Sequence, residues 1–171
     1  TTQLLAGRPE AALAEARKLQ KERPDAAIGF LIESEILATQ KRAGDAANAM
    51  KEVLARTPDA SQFAARNYAL LVQAGKAGEA NAFAARWASD HPRDAMFHTM
   101  VGQLRQGSRD IDGAVTAYKT ALAIEPDNVI ALVNLGMALE RQGMEEGAIE
   151  TLRRAVAADP PPPRSWSSLY I

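Results

Sequence analysis

Apolar residues recur along this chain at the spacing of an α-helix, in runs that end at a proline. One run near the C-terminus places small or apolar residues at i, i+3, i+4 and i+7, namely Leu132, Leu135, Gly136 and Leu139. The run after it uses i, i+4, i+7 and i+8, namely Ala148, Leu152, Ala155 and Val156. Each pattern predicts an amphipathic helix with one apolar face. No stretch alternates with a period of two over enough length to predict a strand.

The prolines that end these runs are separated by a constant interval of 34 residues, and they are Pro24, Pro58, Pro92, Pro126 and Pro160. Alanine keeps the same interval at Ala12, Ala46, Ala80, Ala114 and Ala148. A methyl side chain allows two helices to approach closely, so the recurring alanine indicates a helix–helix contact. A fixed period of this length predicts an array of repeated helix pairs.

We number each unit so that its proline takes place 32. The complete units are then 27–60, 61–94, 95–128 and 129–162. A partial unit, 1–26, would supply a second helix only. Residues 163–171 would begin a further unit or form a truncated capping helix.

Glycine lies between the two predicted helices of several units, at Gly7, Gly75 and Gly143. A helix C-terminus favours positive φ at this place, which suits glycine. Unit 27–60 has Lys41 there and Gly44 three residues later, which predicts a longer first helix. Before the first helix of unit 129–162, Asp127 and Asn128 are predicted to provide the N-cap.

The pattern resembles the tetratricopeptide repeat, whose unit favours an apolar residue at place 4, leucine at 7, a small residue at 8, alanine at 20 and 27, and proline at 32. Unit 129–162 matches with Leu132, Leu135, Gly136, Leu139, Ala148, Leu152, Ala155 and Pro160. Unit 95–128 matches with Val101, Gly102, Ala114, Tyr118, Ala121 and Pro126. The resemblance covers nearly the whole chain and is weaker in the first two units. It implies an all-α fold, a right-handed superhelical solenoid of antiparallel helix pairs.

Two residues depart from the family pattern. Trp87 takes place 27 of unit 61–94, where alanine is the rule, so this contact should be roomier or its helices should splay. Arg105 takes place 11 of unit 95–128, where an apolar contact is expected.

Composition and charge narrow the function classes. The net charge is −1, with both signs mixed along the chain, which argues against sequence-independent nucleic-acid binding. The chain has no cysteine, so thiol catalysis, disulfides and cysteine-ligated zinc are excluded. The longest apolar run, residues 129–139, is too short to span a bilayer.

No candidate catalytic, cofactor or metal site emerges from the sequence. The two histidines, His91 and His98, lack a third ligand on a shared face and are expected to serve a surface turn and packing. The segment GQLRQGSR lacks the lysine of a phosphate-binding loop and has no preceding strand. Glu145 and Glu146 fit a solvated helix start, where acids complement the helix dipole. We therefore expect a protein that is not an enzyme.

The resemblance implies that a partner binds to the concave face formed by places 2, 5, 6, 9, 12 and 13 of the first helices. The candidate groove residues are Ile28, Leu31, Ile32, Glu35, Gln62, Arg66, Met96, Met100, Gln103, Ile130, Val133, Asn134, Met137 and Arg141. The same places include Ala65, Ala69, Val72 and Thr99. The groove is mostly apolar and contains methionine, which suits adaptable binding of a partly apolar peptide or helix. Alternatively, these side chains pack between neighbouring first helices or against further repeats outside this sequence.

Family members that grip a C-terminal carboxylate use lysine at place 5 and asparagine at place 9 of one unit, with asparagine at place 6 of the next. Leu31, Glu35 and Arg66 take these places here, so no such clamp is predicted. Because the terminal helices lack polar caps, self-association through them is a further expectation.

The implied function is protein–protein interaction, as an adaptor or assembly scaffold. The alanine-rich stretch AGRPEAALAEARKLQKERPDAAIGFLIESEILATQKR is similar to repeats of tetratricopeptide lipoproteins from bacterial PEP-CTERM and exopolysaccharide systems. That similarity implies a periplasmic or outer-membrane-associated location, and without it the cytoplasm is expected. Two alternatives stay open: a regulatory or substrate-presenting region of a larger glycosyl-transfer or polysaccharide-synthesis protein, and a structural spacer.

Overall fold

Within residues 9–158, the range that the computed structural model describes, the chain forms nine α-helices and no strand. The helices are α1 (Pro9–Glu22), α2 (Ile28–Thr39), α3 (Ala43–Arg56), α4 (Ser61–Gln73), α5 (Ala77–Asp90), α6 (Ala95–Gly107), α7 (Ile111–Ile124), α8 (Val129–Arg141) and α9 (Glu145–Ala158). The fold is therefore all-α, as the sequence predicts. None of these helices combines the length and apolarity needed to cross a membrane.

The chain divides into two compact units, Thr1–Val101 and Gly102–Ile171. In the first unit, α1 packs on α2, α2 on α3, α3 on α4 and α4 on α5. In the second unit, α7 packs on α8 and α8 on α9. Turns of three residues separate α2 from α3 and α8 from α9, so these neighbours form antiparallel hairpins.

The turn inside each helix pair contains one residue in the left-handed conformation. Gly75 and Gly143 have φ of 73° and 75°, as expected for a glycine that follows a helix. Lys41 and Arg109 adopt the same conformation, with φ of 60° and 67°. The prediction of a longer first helix before Lys41 is therefore wrong: α2 ends at Thr39, and Lys41 takes the strained φ itself. Gly7 lies outside the described residues.

Backbone hydrogen bonds explain why the turn geometry persists without glycine. The N–H groups of Arg42 and Asp110 donate to the carbonyls of Leu37 and Arg105, each at 2.9 Å. Such bonds satisfy carbonyls that the end of a helix would otherwise leave unpaired. They form whichever residue occupies the left-handed position.

The recurring alanine lies at the helix contacts. Ala46, Ala80 and Ala114 are completely buried and Ala148 nearly so, whereas Ala12 in α1 is partly exposed. Burial of a methyl group at the same place in successive pairs is consistent with the close approach that the pattern predicts.

The first unit has an aromatic cluster around Trp87. The Trp87 ring centroid lies 6.1 Å from that of Phe83 and 5.7 Å from that of Phe97, and its Nε1 donates to Asp94 Oδ2 at 2.8 Å. Ala84, one turn earlier, holds the place that Tyr118 holds in the second unit, while Ala121 there holds the place of Trp87. The large and small residues have exchanged places, which is how the helices accommodate a buried tryptophan.

Two polar side chains form hydrogen bonds at positions that the sequence analysis singled out. The Asn128 side chain accepts a hydrogen bond from the N–H of Ala131 at 3.0 Å, which confirms the predicted N-cap of α8. Arg105, where an apolar contact was expected, is half-buried instead, and its Nη1 donates to the carbonyl of Gly113 at 3.5 Å.

Candidate partner-binding faces

The first helices of the first unit carry part of the predicted groove. Ile28 on α2 and Met96 on α6 are exposed, and Gln62 on α4 is exposed as well. Leu31, Ile32 and Met100 are half-buried. These predicted groove residues therefore include both exposed side chains and side chains that are partly covered by neighbouring residues.

Two of the predicted groove residues bind each other. Arg66 on α4 donates from Nε to Glu35 Oε1 at 3.1 Å and from Nη2 to Glu35 Oε2 at 2.8 Å. This two-pronged geometry is the strong form of an arginine–carboxylate pair. Because both side chains remain partly exposed, its contribution to stability should be modest, at about 0–1 kcal/mol. The pair joins two first helices and reduces the number of free charges on this face.

In the second unit, α8 displays an apolar stripe that we define as Ile130, Val133 and Met137. Their exposed fractions are 60%, 37% and 44%. The opposite side of α8, which includes Leu132 and Leu135, is buried. Apolar exposure is thus confined to one face of the helix, which is the expected appearance of an interaction surface.

The remaining predicted groove residues of the second unit are polar. Asn134 is half-buried and donates from Nδ2 to the carbonyl of Ile130 at 2.8 Å. Arg141 on α8 and Gln103 on α6 are exposed. The guanidinium of Arg141 also acts on Tyr118: burial raises the pKa of Tyr118 to about 12, and the positive charge of Arg141 opposes part of that rise.

Three residues at groove places do not line an accessible surface. Ala65, Ala69 and Thr99 are buried, although the family register places them on the groove. Short side chains at these places do not project past their larger neighbours, and Thr99 Oγ1 turns inward to donate to the carbonyl of Ala95 at 2.9 Å. The family register alone therefore does not place a residue on the accessible surface.

The histidines occupy two different environments in the first unit. His91 stacks on Trp87 with ring centroids 3.9 Å apart, and its Nε2 lies 3.3 Å from Asp59 Oδ1. Burial lowers the pKa of His98, and the charge of Asp94 opposes that shift. Across residues 9–158, no group of three or more His, Cys, Asp or Glu side chains is placed to hold a metal ion.

Sequence reasoning missed two features. It did not foresee that Glu35 and Arg66, 31 residues apart, would pair across neighbouring helices. It also confined candidate binding residues to first helices, whereas in the second unit α7 and α9 border a depression on their own surface. A comparison of the charged residues at the same repeat place in different units could have pointed to this depression.

The repeated helix pairs define a helical-repeat protein with exposed apolar faces. The profile of the family described as "Tetratricopeptide repeat" matches residues 3–61 and 99–163, more than half of the chain. The chain belongs to the tetratricopeptide repeat family. The profile leaves out most of unit 61–94, in which Asn67, Ala84 and Trp87 depart from the pattern, yet α4 and α5 form there.

Curated relatives match over part of their length. The chain is 33% identical over 90 residues to "Probable biofilm formation methyltransferase WspC" of Pseudomonas putida, covering 53% of this chain and 21% of that protein. It is 32% identical over 71 residues to "BBSome complex member bbs-4" of Caenorhabditis elegans, covering 42% of this chain and 15% of that protein. The chain thus spans about a fifth or less of these relatives.

Solved structures share the fold. MamA 41-end from Desulfovibrio magneticus RS-1 superposes with a TM-score of 0.59 at 19% identity, covering 91% of this chain and 88% of that one. YrrB, described as "a TPR protein with an unusual peptide-binding site", superposes with a TM-score of 0.55 at 18% identity, covering 92% and 82%. At such identities the likeness concerns the fold alone.

Proposed function

We propose that this protein is an interaction scaffold whose first-helix faces bind a partly apolar peptide or helix of a partner protein. The observation that carries the proposal is the stripe of Ile130, Val133 and Met137, which stays exposed while the other face of α8 is buried. Leaving apolar side chains in water forgoes roughly 25 cal/mol per Å² of surface that a partner could cover.

The chemistry of these faces suits an extended or helical partner. Methionine side chains at Met96, Met100 and Met137 adapt to partners of different shape. Asn134 and Gln103 can orient a peptide by hydrogen bonds beside the apolar contacts. The peptide-binding site named in the description of YrrB supports this class of ligand.

Selection of a displayed random peptide library on the purified full chain tests the proposal. The test variant carries Ile130→Glu and Met137→Glu. The matched control carries Ile149→Glu and Val156→Glu, two α9 residues that are 51% and 62% exposed in the same unit. Selected peptides should bind the wild type and the control equally, and the test variant about tenfold more weakly, a loss of roughly 1.4 kcal/mol.

Equal binding to all three proteins, or an equal loss in both variants, would count against the first-helix faces. Arg66→Glu is a poorer probe, because it would remove the ion pair with Glu35 and leave two acids facing each other.

A finer setting within this proposal is bacterial exopolysaccharide or protein-sorting machinery. It rests on the alanine-rich similarity noted above. Cross-linking of the full-length protein in cells that produce exopolysaccharide, followed by identification of the cross-linked proteins, would test it. Recovery of proteins from unrelated processes alone would contradict it.

A second candidate is a regulatory repeat region within a larger enzyme. The observation that favours it is the match to a region covering 21% of a protein named as a methyltransferase. Assay of the full-length protein with and without this repeat region tests it: a change in activity or substrate range on deletion is expected, and unchanged kinetics would oppose it.

A further inference from the structure

The second unit contains a depression on its second helices that the proposed function does not use. We define the second-helix groove as the space between α7 and α9 above α8, with a volume of about 460 Å³. Leu122, Leu135 and Leu139 form its floor and Met144 one wall. Its volume is within the roughly 300–1,000 Å³ typical of ligand sites.

Charged groups stand beside this apolar floor. Lys119 on α7 and Arg154 on α9 line the groove, together with one carboxylate, Glu150. Within residues 9–158, Lys119 forms no hydrogen bond or ion pair. The guanidinium of Arg154 donates to the carbonyl of Pro126 at 3.0 Å and has no carboxylate partner among the described residues. Two cations therefore face a single acid.

The first unit provides an internal comparison, because an equivalent depression between α1 and α3 has a volume of about 410 Å³. Its lining residues precede those of the second-helix groove by three repeat periods, so that Arg17 corresponds to Lys119. In this depression the charges pair internally: Arg17 Nε lies 3.0 Å from Glu33 Oε1, and Arg42 Nη2 lies 2.7 Å from Asp45 Oδ2.

The carboxylates that line the depression in the first unit are replaced by other residue types in the second-helix groove. Glu33, Asp45 and Glu52 correspond by register to Leu135, Gly147 and Arg154. The depression in the first unit is lined by two cations and three carboxylates, whereas the second-helix groove is lined by two cations and one carboxylate. Part of the polar lining of the first depression is apolar in the second-helix groove. The second-helix groove thus lacks the acids that its counterpart supplies from within the chain.

We infer that the second-helix groove binds an acidic peptide segment of a partner protein, with an apolar side chain on the leucine floor and a carboxylate at Lys119 and Arg154. A carboxylate restores the charge match that the chain itself provides in the first unit, and charge-assisted hydrogen bonds to lysine and arginine are strong. Burial of an apolar side chain supplies the remaining affinity. This site is separate from the first-helix faces and does not depend on them.

Fluorescence anisotropy with three labelled peptides tests the inference on the full chain. The first peptide has a phenylalanine flanked by glutamates in a glycine–serine background, the second has lysines for the glutamates, and the third has serine for the phenylalanine. The first should bind about tenfold more tightly than either of the others, a difference of roughly 1.4 kcal/mol.

Two protein variants make the test specific. The double variant Lys119→Glu with Arg154→Glu should bind the glutamate peptide more weakly and the lysine peptide more tightly than the wild type does. The matched control is Lys51→Glu with Arg86→Glu, exposed residues at the same two repeat places two periods earlier, which changes the net charge equally. Gly147→Leu should block the groove, since a Cβ there has only Leu139 Cδ1 within 4 Å, at 3.6 Å. Far-UV circular dichroism and urea unfolding of each variant show whether it folds like the wild type.

Several results would overturn the inference. One is equal binding of the three peptides, and another is an equal effect of the two charge reversals. If sedimentation shows a dimer that Gly147→Leu dissociates, the occupant is a second copy of the chain. If the glutamate peptide binds only after removal of residues 159–171, the occupant is the chain's own C-terminal segment. Either finding would show that the groove is occupied by this chain itself and not by a peptide of a partner protein.

Discussion

The ring of Tyr118 lies against the backbone of Gly102, so that a Cβ atom at Gly102 would be 2.6 Å from Cδ1 of the tyrosine. Tyr118 is completely buried, and its hydroxyl donates to Gln106 Oε1 at 2.8 Å. The ring is therefore held from two sides. This contact explains physically why the small residue at place 8 is paired with an aromatic at place 24 in the second unit.

Gly102→Ala is expected to destabilise the protein. Overpacking of this kind costs about 1–3 kcal/mol, more than the roughly 1 kcal/mol that alanine gains over glycine inside a helix. Urea unfolding measures the change in the free energy of unfolding. Gly78→Ala in α5 is the control, because a Cβ there meets nothing within 4 Å and should be neutral or stabilising. A stabilising Gly102→Ala would show that the ring moves aside freely.

Asn67→Leu is expected to stabilise the protein. Asn67 is 0% exposed, and neither its Nδ2 nor its Oδ1 has a hydrogen-bond partner among residues 9–158. Removing an unpaired buried amide should recover about 1–3 kcal/mol, and leucine has a similar branched shape. Thermal and urea unfolding should both report the gain. The opposite sign is expected for Ser34→Ala, since the buried Ser34 Oγ donates to the carbonyl of Ala46 at 2.9 Å. A loss of stability in Asn67→Leu would contradict this account.

The stability of the protein should fall as the solution becomes acidic, in part through His98. Burial lowers the pKa of His98 below the ordinary 6.5, so the unfolded chain binds a proton that the folded chain does not. This stabilisation is complete above pH 6.5 and is lost as the pH falls toward the lowered pKa. Urea unfolding of the wild type and of His98→Leu across this pH range isolates the contribution of His98 to the free energy of unfolding, because His91 is present in both proteins. Parallel pH profiles for the two proteins would refute it.

Lys41→Gly is expected to stabilise the first unit. Lys41 has φ of 60°, a conformation that costs an ordinary residue about 1–2 kcal/mol and glycine very little. Part of this gain is offset by the greater freedom of glycine in the unfolded chain, so about 1 kcal/mol should remain. Gly75→Ala tests the reverse change at φ of 73°, where a Cβ would meet nothing within 4 Å. If Gly75→Ala leaves the midpoint of unfolding unchanged, strain at this turn is unimportant.

Much of the local structure could be predicted from sequence because it depends on signals within one repeat. The positions of α8 and α9 follow from apolar spacing, the cap of α8 from Asn128, and the turns at Gly75 and Gly143 from the backbone freedom of glycine. The buried alanines follow from a period that five units share. Each of these features involves neighbours along the chain or a constraint repeated often enough to stand out.

Other features were misjudged because they depend on residues that the repeat register does not connect. The left-handed turn at Lys41 is enforced by the backbone hydrogen bond from Arg42 to Leu37, which overrides the preference of the residue itself. Ala65 and Thr99 hold groove places but are buried, because the size of their neighbours decides what projects to the surface.

The repeat period and the helical character of each run were thus available from the sequence, because helix propensity and apolar spacing act over a few residues. Only the tertiary structure decided which charges remain free. Glu35 pairs with Arg66 and Arg17 with Glu33, whereas Lys119 has no such partner in the part of the chain that the structure describes. An ion pair between two helices requires their side chains to meet within about 4 Å. That distance depends on how the helices pack and on which residue fills each neighbouring place, so it emerges only once the chain is folded.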